Sequence, residues 1–207
     1  MSRRPRVAVI DHGAGNLVSI SQGLERVGAE SVIVDDPEGL ETFDGLVLPG
    51  VGSTGAVMEG IRRHGFETPL RRADMPVLGI CVGMQVLFQH SEEDGASCLG
   101  LIPGRVARLE DAPTLPHIGW NDLQIRGDSD MFAGLDEPVV YFVHSYAPVP
   151  DDPAVVTATS HHSTTFTAAV RQGRIDGVQF HPERSGGTGL RILSRFVQRC
   201  GETADAA

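Results

Sequence analysis

One of the three cysteines in the sequence, Cys81, lies between two glycines in the segment Gly79–Gly83, which reads GICVG. The pattern G-x-C-x-G is the thiol counterpart of the nucleophile elbow, in which the reactive residue stands on a sharp turn between a strand and a helix. Backbone N–H groups at the start of the helix would favour the thiolate, and the N–H of Val82 would be one donor to an oxyanion. The pattern alone leaves open a second interpretation, a buried cysteine that packs as a small hydrophobic residue.

A nucleophilic cysteine needs a base, and the segment VQFHPE at Val178–Glu183 offers a candidate. An apolar strand ends there in His181, and Glu183 follows two residues later. In an extended chain these two side chains point to the same side, so the carboxylate is predicted to reach the imidazole. Such a contact fixes the tautomer and stabilises the imidazolium that forms when the ring takes the thiol proton. A surface His-Pro-Glu turn is the alternative, but the cysteine elbow in the same chain favours a catalytic set of Cys81, His181 and Glu183.

Composition and charge exclude several other classes of function. The chain of 207 residues is 41% hydrophobic and has a formal net charge of −10, so we expect no nucleic-acid-binding surface, which would need clustered cations. No apolar run approaches the roughly 20 residues needed to cross a bilayer, and the N-terminus lacks the apolar region of a signal peptide. Three cysteines without a CxxC pair argue against a disulfide framework or a zinc site and predict a cytoplasmic protein. We expect neither a metal nor a cofactor.

The first half of the chain alternates short apolar strands with helices, which indicates parallel βαβ units buried on both faces. The predicted strands are Val7–Asp11, Ser31–Val34, Gly45–Pro49 and Val77–Ile80. The predicted helices are Leu17–Val27, a helix from the GVGSTGA segment to about Arg63, and Gly83–His90.

The second half contains strand candidates separated by Gly, Pro, Asp and Asn turns. These are Val106–Leu109, Leu123–Ile125, Val139–Val143, Val155–Thr159, Phe166–Arg171 and Val178–Phe180, with a final helix at Leu190–Arg199 and a loop predicted at Gln89–Cys98. The pattern predicts one α/β domain over residues 1–207, with a central, mostly parallel sheet flanked by helices and an additional antiparallel β layer. We expect residues 1–5 and about 202–207 to be flexible tails.

The segments GICVGMQ and VQFHPE, whose Cys and His lie about 100 residues apart, resemble the paired motifs of the class I, triad-type glutamine amidotransferases. The resemblance covers nearly the whole chain, since LPGVG lies upstream at the place of the family's oxyanion loop. It implies the fold of that family and a triad of Cys81, His181 and Glu183. It also implies oxyanion donors on the backbone of Val51, Gly52 and Val82, and contacts to glutamine from Gly50, Gly52, Gln85, Ser145 and Tyr146.

Other segments resemble one branch of this family, the glutaminase subunits of imidazole glycerol phosphate synthase. These segments are VIDHGAGNLVSI, LPGVG, GLIPGRVARL, LPHIGWNDL and YFVHSYAP. The resemblance implies glutamine hydrolysis through a cysteine thioester. The ammonia would pass to a (β/α)8 barrel of the HisF type, the cyclase, within a heterodimer that serves histidine biosynthesis. Candidates for the docking face or for its coupling to the site are Asn16, Gly52, Pro116, His117 and Trp120.

Several alternatives remain open at this point. Asn16 could simply cap the first helix, and Trp120 could be a core residue as well as an interface residue. The chain could serve another synthase, of the anthranilate or aminodeoxychorismate type, although DHGAGN, PGVG and PHIGWN favour the histidine pathway. A cysteine peptidase would not need the glycine loop. A non-catalytic protein that only supports the cyclase would not need an intact triad.

The sequence departs from the family pattern at two places. His12 stands where the family usually has tyrosine, which we interpret as a change in a loop. The segment TSHHSTTFTAAV replaces the usual Tyr-Gly-containing turn before a strand, which puts the turn at His161–Thr165 in doubt. Adjacent His161 and His162 would face opposite ways on a strand and make a poor metal site, and His144 is interpreted as a packed histidine at a strand end.

Overall fold

The computed structural model describes residues 3–110, 112, 114–127 and 129–205. The helices are α1 Leu17–Arg26, α2 Thr54–Arg63, α3 Glu67–Arg72, α4 Val82–Gln85 and α5 Gly186–Asp205. The strands of the first half are β1 Arg6–Ile10, β2 Glu30–Val34, β3 Gly45–Gly50, β4 Val77–Cys81, β5 His90–Ser91 and β6 Ala96–Ser97. Those of the second half are β7 Gly104–Arg108, β8 His117–Asp122, β9 Gln124–Ile125, β10 Val139–His144, β11 Tyr146–Pro150, β12 Val156–His162, β13 Thr164–Gln172 and β14 Ile175–Val178.

A central sheet of eight strands organises the fold, in the order β2-β1-β3-β4-β14-β13-β12-β9. The pairings from β2 to β14 are parallel, and those from β14 to β9 are antiparallel. Every residue of β3 and β4 is buried, as expected for parallel strands covered on both faces by helices. Helix α1 packs against α5, and α2 packs against α4. This confirms the predicted α/β class with a large central sheet flanked by helices.

Two smaller antiparallel units complete the structure. Strands β8 and β10 form a two-stranded ribbon, and β11, β7, β5 and β6 form a second sheet in that order. The ribbon runs from Val139 opposite Asp122 to His144 opposite His117. Strand β10 is followed after a single residue, Ser145, by β11, so one short stretch of chain joins the ribbon to the second sheet. The antiparallel layer expected from the second half of the sequence therefore consists of two pieces.

The structure differs from the sequence-based elements at several positions. Helix α4 ends at Gln85 instead of continuing to His90, because the buried residues after it form turns and then β5. The predicted loop at Gln89–Cys98 contains the β5–β6 hairpin. Helix α5 continues to Asp205, whereas a tail was expected from about residue 202. Residues 1, 2, 206 and 207 lie outside the described residues. Helix α3 and strands β8 and β11 were not predicted from the sequence.

The altered turn at His161–Thr165 is a tight hairpin between β12 and β13. His162 pairs with Thr164 across the turn, so Ser163 alone forms the tip. Ser163 has a φ of 63°, in the left-handed region that favours glycine. Within the described part of the chain, none of the helices combines the length and the apolar character that a membrane span requires.

Candidate active site

Three neighbouring parallel strands end at the same edge of the central sheet. Gly50 at the end of β3 lies opposite Cys81 at the end of β4, and Val178 at the end of β14 lies opposite Ile80. The loops that follow these strands therefore meet. In α/β sheets the crevice beyond the carboxyl ends of the strands is the usual place for ligands. The topology thus brings the LPGVG loop, the cysteine elbow and the His-Pro-Glu segment together.

Cys81 occupies a strained turn between β4 and α4. Its φ of 55° and ψ of −114° are unusual for a residue with a side chain, and such strain persists only where the surroundings enforce it. Gly83 explains how the turn fits: a Cβ atom there would collide with the carbonyl oxygen of Leu48 in β3. The backbone of the elbow thus packs directly on the neighbouring strand. This is the close approach that the G-x-C-x-G pattern predicted.

His181 and Glu183 are joined as the sequence predicted, but through a different backbone geometry. The Nδ1 atom of His181 lies 2.9 Å from Oε1 of Glu183, whose side chain is fully buried. Instead of continuing as an extended strand, the chain turns into a short 3₁₀ helix at Pro182–Arg184. Ser185 Oγ donates a hydrogen bond of 2.7 Å to the carbonyl of His181 and ties the turn together.

The protonation of His181 is set by the two groups beside it. Burial lowers its pKa, but hydrogen bonds to the side chains of Cys81 and Glu183 and the charges of both outweigh burial and raise the pKa to about 10. The ring therefore carries a proton over the whole neutral range. An imidazolium between a cysteine and a buried carboxylate is the arrangement that stabilises a thiolate and can deliver a proton to a leaving group.

A pocket of about 370 Å³ opens at this edge of the sheet. Its lining includes all three residues of the predicted triad, together with the predicted residues Val51, Gly52, Val82, Ser145, Asn16 and Pro116. The side chain of Asn16 makes no capping hydrogen bond to α1, although the residue stands at the N-cap position. Three further lining residues were not singled out from the sequence: Glu93, Val143 and Arg184. His144, interpreted from the sequence as a packed histidine, is buried and also lines the pocket.

Gln85 and Tyr146, two predicted substrate contacts, are not among the residues that line the pocket. Gln85 is buried, and its Nε2 donates hydrogen bonds to the Tyr146 carbonyl at 2.9 Å and to Oε1 of Gln179 at 3.0 Å. The amide of Gln179 in turn lies 3.7 Å from the sulfur of Cys81. Gln85 thus reaches Cys81 through Gln179, which the sequence did not indicate. Gly50, a third predicted contact, is likewise absent from the lining and packs on Val82 and Gly83.

Two neutral histidines continue this network toward the ribbon. His144 Nδ1 lies 2.9 Å from the Tyr146 carbonyl, which can only accept, so His144 Nε2 is left to accept from Nδ1 of His117 at 3.1 Å. Burial lowers the pKa of His144 to about 3 and that of His117 to about 4. The described residues contain no group of three or more metal-binding side chains. His117 and His144 instead form a hydrogen-bonded chain that runs from β8 to the Tyr146 carbonyl beside the pocket.

The LPGVG loop leads from β3 into helix α2 along the pocket. Val51, which is 40% exposed, and Gly52, which has a φ of 88°, both line the pocket. The carboxylate of Glu93, in the β5–β6 turn, accepts the N–H of Thr54 at 2.9 Å and also lines the pocket. Loop N–H groups suit a carbonyl or oxyanion, and a nearby carboxylate suits the ammonium group of an amino acid.

An exposed aromatic and aliphatic face borders the pocket on the ribbon. Ile118 and Trp120 of β8 are 60% and 59% exposed, and the Trp120 ring meets Tyr141 edge to face. The guanidinium of Arg184, a pocket residue, lies 4.6 Å from the centre of the Tyr141 ring. Trp120 is therefore a surface residue and not part of the core. His117, the other residue of β8 predicted for docking or for coupling to the site, is buried at 5% exposure.

Comparisons with known proteins show the family of the chain. The family model described as "Glutamine amidotransferase class-I" matches residues 8–200. The chain is 51% identical over 201 residues to the imidazole glycerol phosphate synthase subunit HisH of Synechococcus sp. (strain JA-3-3Ab), covering 93% of both chains. It is 49% identical over 195 residues to the protein of that name from Xylella fastidiosa (strain Temecula1), covering 93% of this chain and 96% of the relative.

Solved structures support the fold. The chain superposes on a putative GMP synthase protein from Thermoplasma acidophilum with a TM-score of 0.75 and 23% identity, covering 100% of this chain and 98% of the other. PurLQS from Thermotoga maritima gives a TM-score of 0.73 at 20% identity, with 95% and 98% covered.

Proposed function

The chain belongs to the class I glutamine amidotransferase family, and on that premise we propose that it is the glutaminase subunit of an imidazole glycerol phosphate synthase in histidine biosynthesis. The observation that carries the chemistry is the meeting of Cys81, His181 and Glu183 in one pocket. The choice of pathway is supported by relatives of that name at about 50% identity over most of the chain. Three free cysteines are in keeping with a reducing, cytoplasmic setting.

In the proposed reaction the thiolate of Cys81 attacks the side-chain amide carbon of glutamine. A carbon–sulfur bond forms, and the carbonyl oxygen becomes an oxyanion. His181 gives its proton to the amide nitrogen, the carbon–nitrogen bond breaks, and ammonia leaves a glutamyl thioester on Cys81. A water then attacks the thioester carbon while His181 takes its proton, and glutamate departs as the thiolate reforms. Glu183 keeps the ring oriented through both steps.

The oxyanion of each step would be held by backbone N–H groups of Val82 and of the Val51–Gly52 loop. One such donor is worth roughly 10²–10³ in rate in well-studied hydrolases. The pocket also contains Glu93, whose carboxylate is suited to the α-ammonium of glutamine, and Ser145, another residue of the lining. These contacts would fix the substrate while its amide reacts.

The partner would be a cyclase of the HisF type, which receives the ammonia. We assign its docking site to the exposed ribbon face of Ile118 and Trp120, because large aromatic side chains beside a functional pocket are typical of interface centres. His117 neighbours this face on β8 and bonds to His144. We therefore retain His117 as a residue that couples the face to the pocket.

Glutamine hydrolysis by the wild-type chain, measured with and without the cyclase and its nucleotide substrate, tests the proposed function. We expect turnover of glutamine to glutamate and ammonia, with strong stimulation when the cyclase and its substrate are both present. Glutamine hydrolysis at the same rate with and without the cyclase would point to another synthase. An absence of hydrolysis under all conditions would contradict the glutaminase assignment itself.

The docking face is tested by replacing Trp120 with alanine. Truncation of a large aromatic at the centre of an interface typically costs about 2 kcal/mol or more, so we expect the Kd for the cyclase to rise about 30-fold. Ile33, which is 44% exposed at the far edge of the sheet, gives the matched control. Binding measured by calorimetry should be unchanged in Ile33→Ala. Equal affinities of the two variants would place the interface elsewhere.

A further inference from the structure

His12 is buried at the start of the loop that follows β1. The residue is only 2% exposed, and its Nε2 lies 2.6 Å from the carbonyl oxygen of Pro49, the residue before Gly50 in the LPGVG segment. A carbonyl oxygen only accepts, so the ring donates from Nε2. This is a short, buried hydrogen bond from a side chain to the strand end that begins the oxyanion loop. The sequence alone had suggested only a change in a loop.

The bond occurs where the regular pairing of β3 on this side has stopped. Strand β1 pairs with β3 only as far as Val9 opposite Val47. Pro49 lies two residues beyond that pair, and β1 has ended at Ile10. The imidazole of His12 therefore supplies a donor where the sheet no longer offers one. A buried carbonyl left without a partner at this place would be costly, by about 1–3 kcal/mol.

The surroundings hold the ring in one place and in one charge state. A Cβ atom on Gly60 of α2 would collide with the His12 carbonyl oxygen and would lie 3.3 Å from Nδ1, so the helix closes directly over the residue. The pKa of His12 is lowered, mainly by burial and also by the charge of His64. The bond to Pro49 and the charge of Asp11 act in the opposite direction but do not outweigh burial. Nδ1 is buried and has no partner among the described residues, so protonation would bury an unpaired N–H.

We propose that His12 is a positioning residue that fixes the Pro49–Gly50 peptide and, through it, the oxyanion loop of Val51 and Gly52. The carbonyl of Pro49 and the N–H of Gly50 belong to one rigid peptide plane, so a hydrogen bond on the first sets the direction in which the loop begins. Gly50 is also held from its other side, since it lies opposite Cys81 and packs on Gly83. The Pro49–Gly50 peptide is therefore held on one side by His12 and on the other by the cysteine elbow. The inference rests on the proposed glutaminase function.

A matched pair of variants isolates the hydrogen bond. In His12→Gln the side-chain amide nitrogen can take the place of Nε2, whereas His12→Met has a similar length and no donor. Both variants lose the ring, so packing changes are shared. We expect kcat for cyclase-stimulated glutamine hydrolysis to be about tenfold lower in His12→Met than in His12→Gln, with KM for glutamine within about twofold. Ammonia-dependent synthesis by the complex should be the same for both.

Several outcomes would overturn the inference. Equal kcat values in the two variants would show that the donor has no role in the reaction, and a difference confined to KM would make His12 a residue of substrate affinity. Failure of both variants to fold would make it a purely structural residue. His64→Phe, a substitution of a half-buried histidine bonded to the Asp35 carbonyl, should keep wild-type turnover. If the wild type itself did not hydrolyse glutamine, the proposed function would fail instead.

Discussion

Replacement of Cys81 by alanine is expected to abolish glutamine-dependent synthesis by the complex, while added ammonium salt still supports the cyclase. In the proposed mechanism no thioester can form without the thiolate of Cys81, and loss of a catalytic nucleophile typically lowers kcat by on the order of 10⁴-fold or more. Synthesis from added ammonium does not require the glutamine amide bond to be broken at Cys81. It therefore shows whether the variant still folds and binds the cyclase. Both activities can be followed in the same assay by exchanging glutamine for ammonium.

Cys98 provides the matched control for this experiment. It is also buried, but burial raises the pKa of its thiol to about 11, so it stays uncharged at neutral pH. It lies in the segment between β6 and β7, away from the pocket lining. Cys98→Ala should therefore retain glutamine-dependent synthesis. Glutamine hydrolysis at the wild-type rate in Cys81→Ala would remove the cysteine from the mechanism altogether.

Replacement of Glu183 by glutamine is expected to have the second-largest effect. The carboxylate bonds to His181 Nδ1 at 2.9 Å and helps to raise the pKa of the imidazole to about 10. The amide keeps the shape but removes the charge, and in a comparable triad the loss of the acidic member costs about 10⁴ in kcat. We expect a decrease of roughly 10²–10⁴ in the kcat of glutamine hydrolysis, with ammonia-dependent synthesis retained.

The pH profile distinguishes this effect from general damage. In the wild type the imidazolium persists until the pH rises through about 10, so activity that needs its proton should decline only there. Glu183→Gln removes a group that raises this pKa, so the alkaline decline should move to lower pH. Glu67→Gln, which alters a surface carboxylate paired with Arg62 and Arg71, should leave the profile unchanged. If the activity of Glu183→Gln declined at the same alkaline pH as that of the wild type, the carboxylate would not act on the pKa of the histidine.

The parts of the site that were predicted from sequence are those whose constraints are local. The G-x-C-x-G pattern reports the close approach of Gly83 to Leu48, and His181 and Glu183 are two residues apart in one turn. Strands buried on both faces are continuous apolar runs, which made the parallel half of the sheet visible. These features are encoded within a few residues and need no knowledge of distant contacts.

The remaining features depend on contacts between distant segments. After the buried His117, strand β8 alternates exposed and half-buried residues, and it pairs only with β10 among the described strands. Its sequence HIGWND therefore carries too little apolar character to indicate a strand. Glu93 enters the pocket because the β5–β6 turn caps helix α2, 39 residues earlier in the chain. The helix after the elbow was overestimated because apolar residues continue past Gln85 into turns that are equally buried. None of these contacts can be predicted from a short segment of the sequence.

The contact of Gly83 with the Leu48 carbonyl also has a consequence for genetic variation in this protein. Every amino acid that a single-nucleotide change can introduce at a glycine codon carries at least one more carbon atom. Each would place that carbon, two residues after Cys81, against the carbonyl oxygen of Leu48 in the neighbouring strand. Missense changes at this codon should therefore be severe, and a screen of random variants for growth without histidine at low ammonium should recover only synonymous changes there.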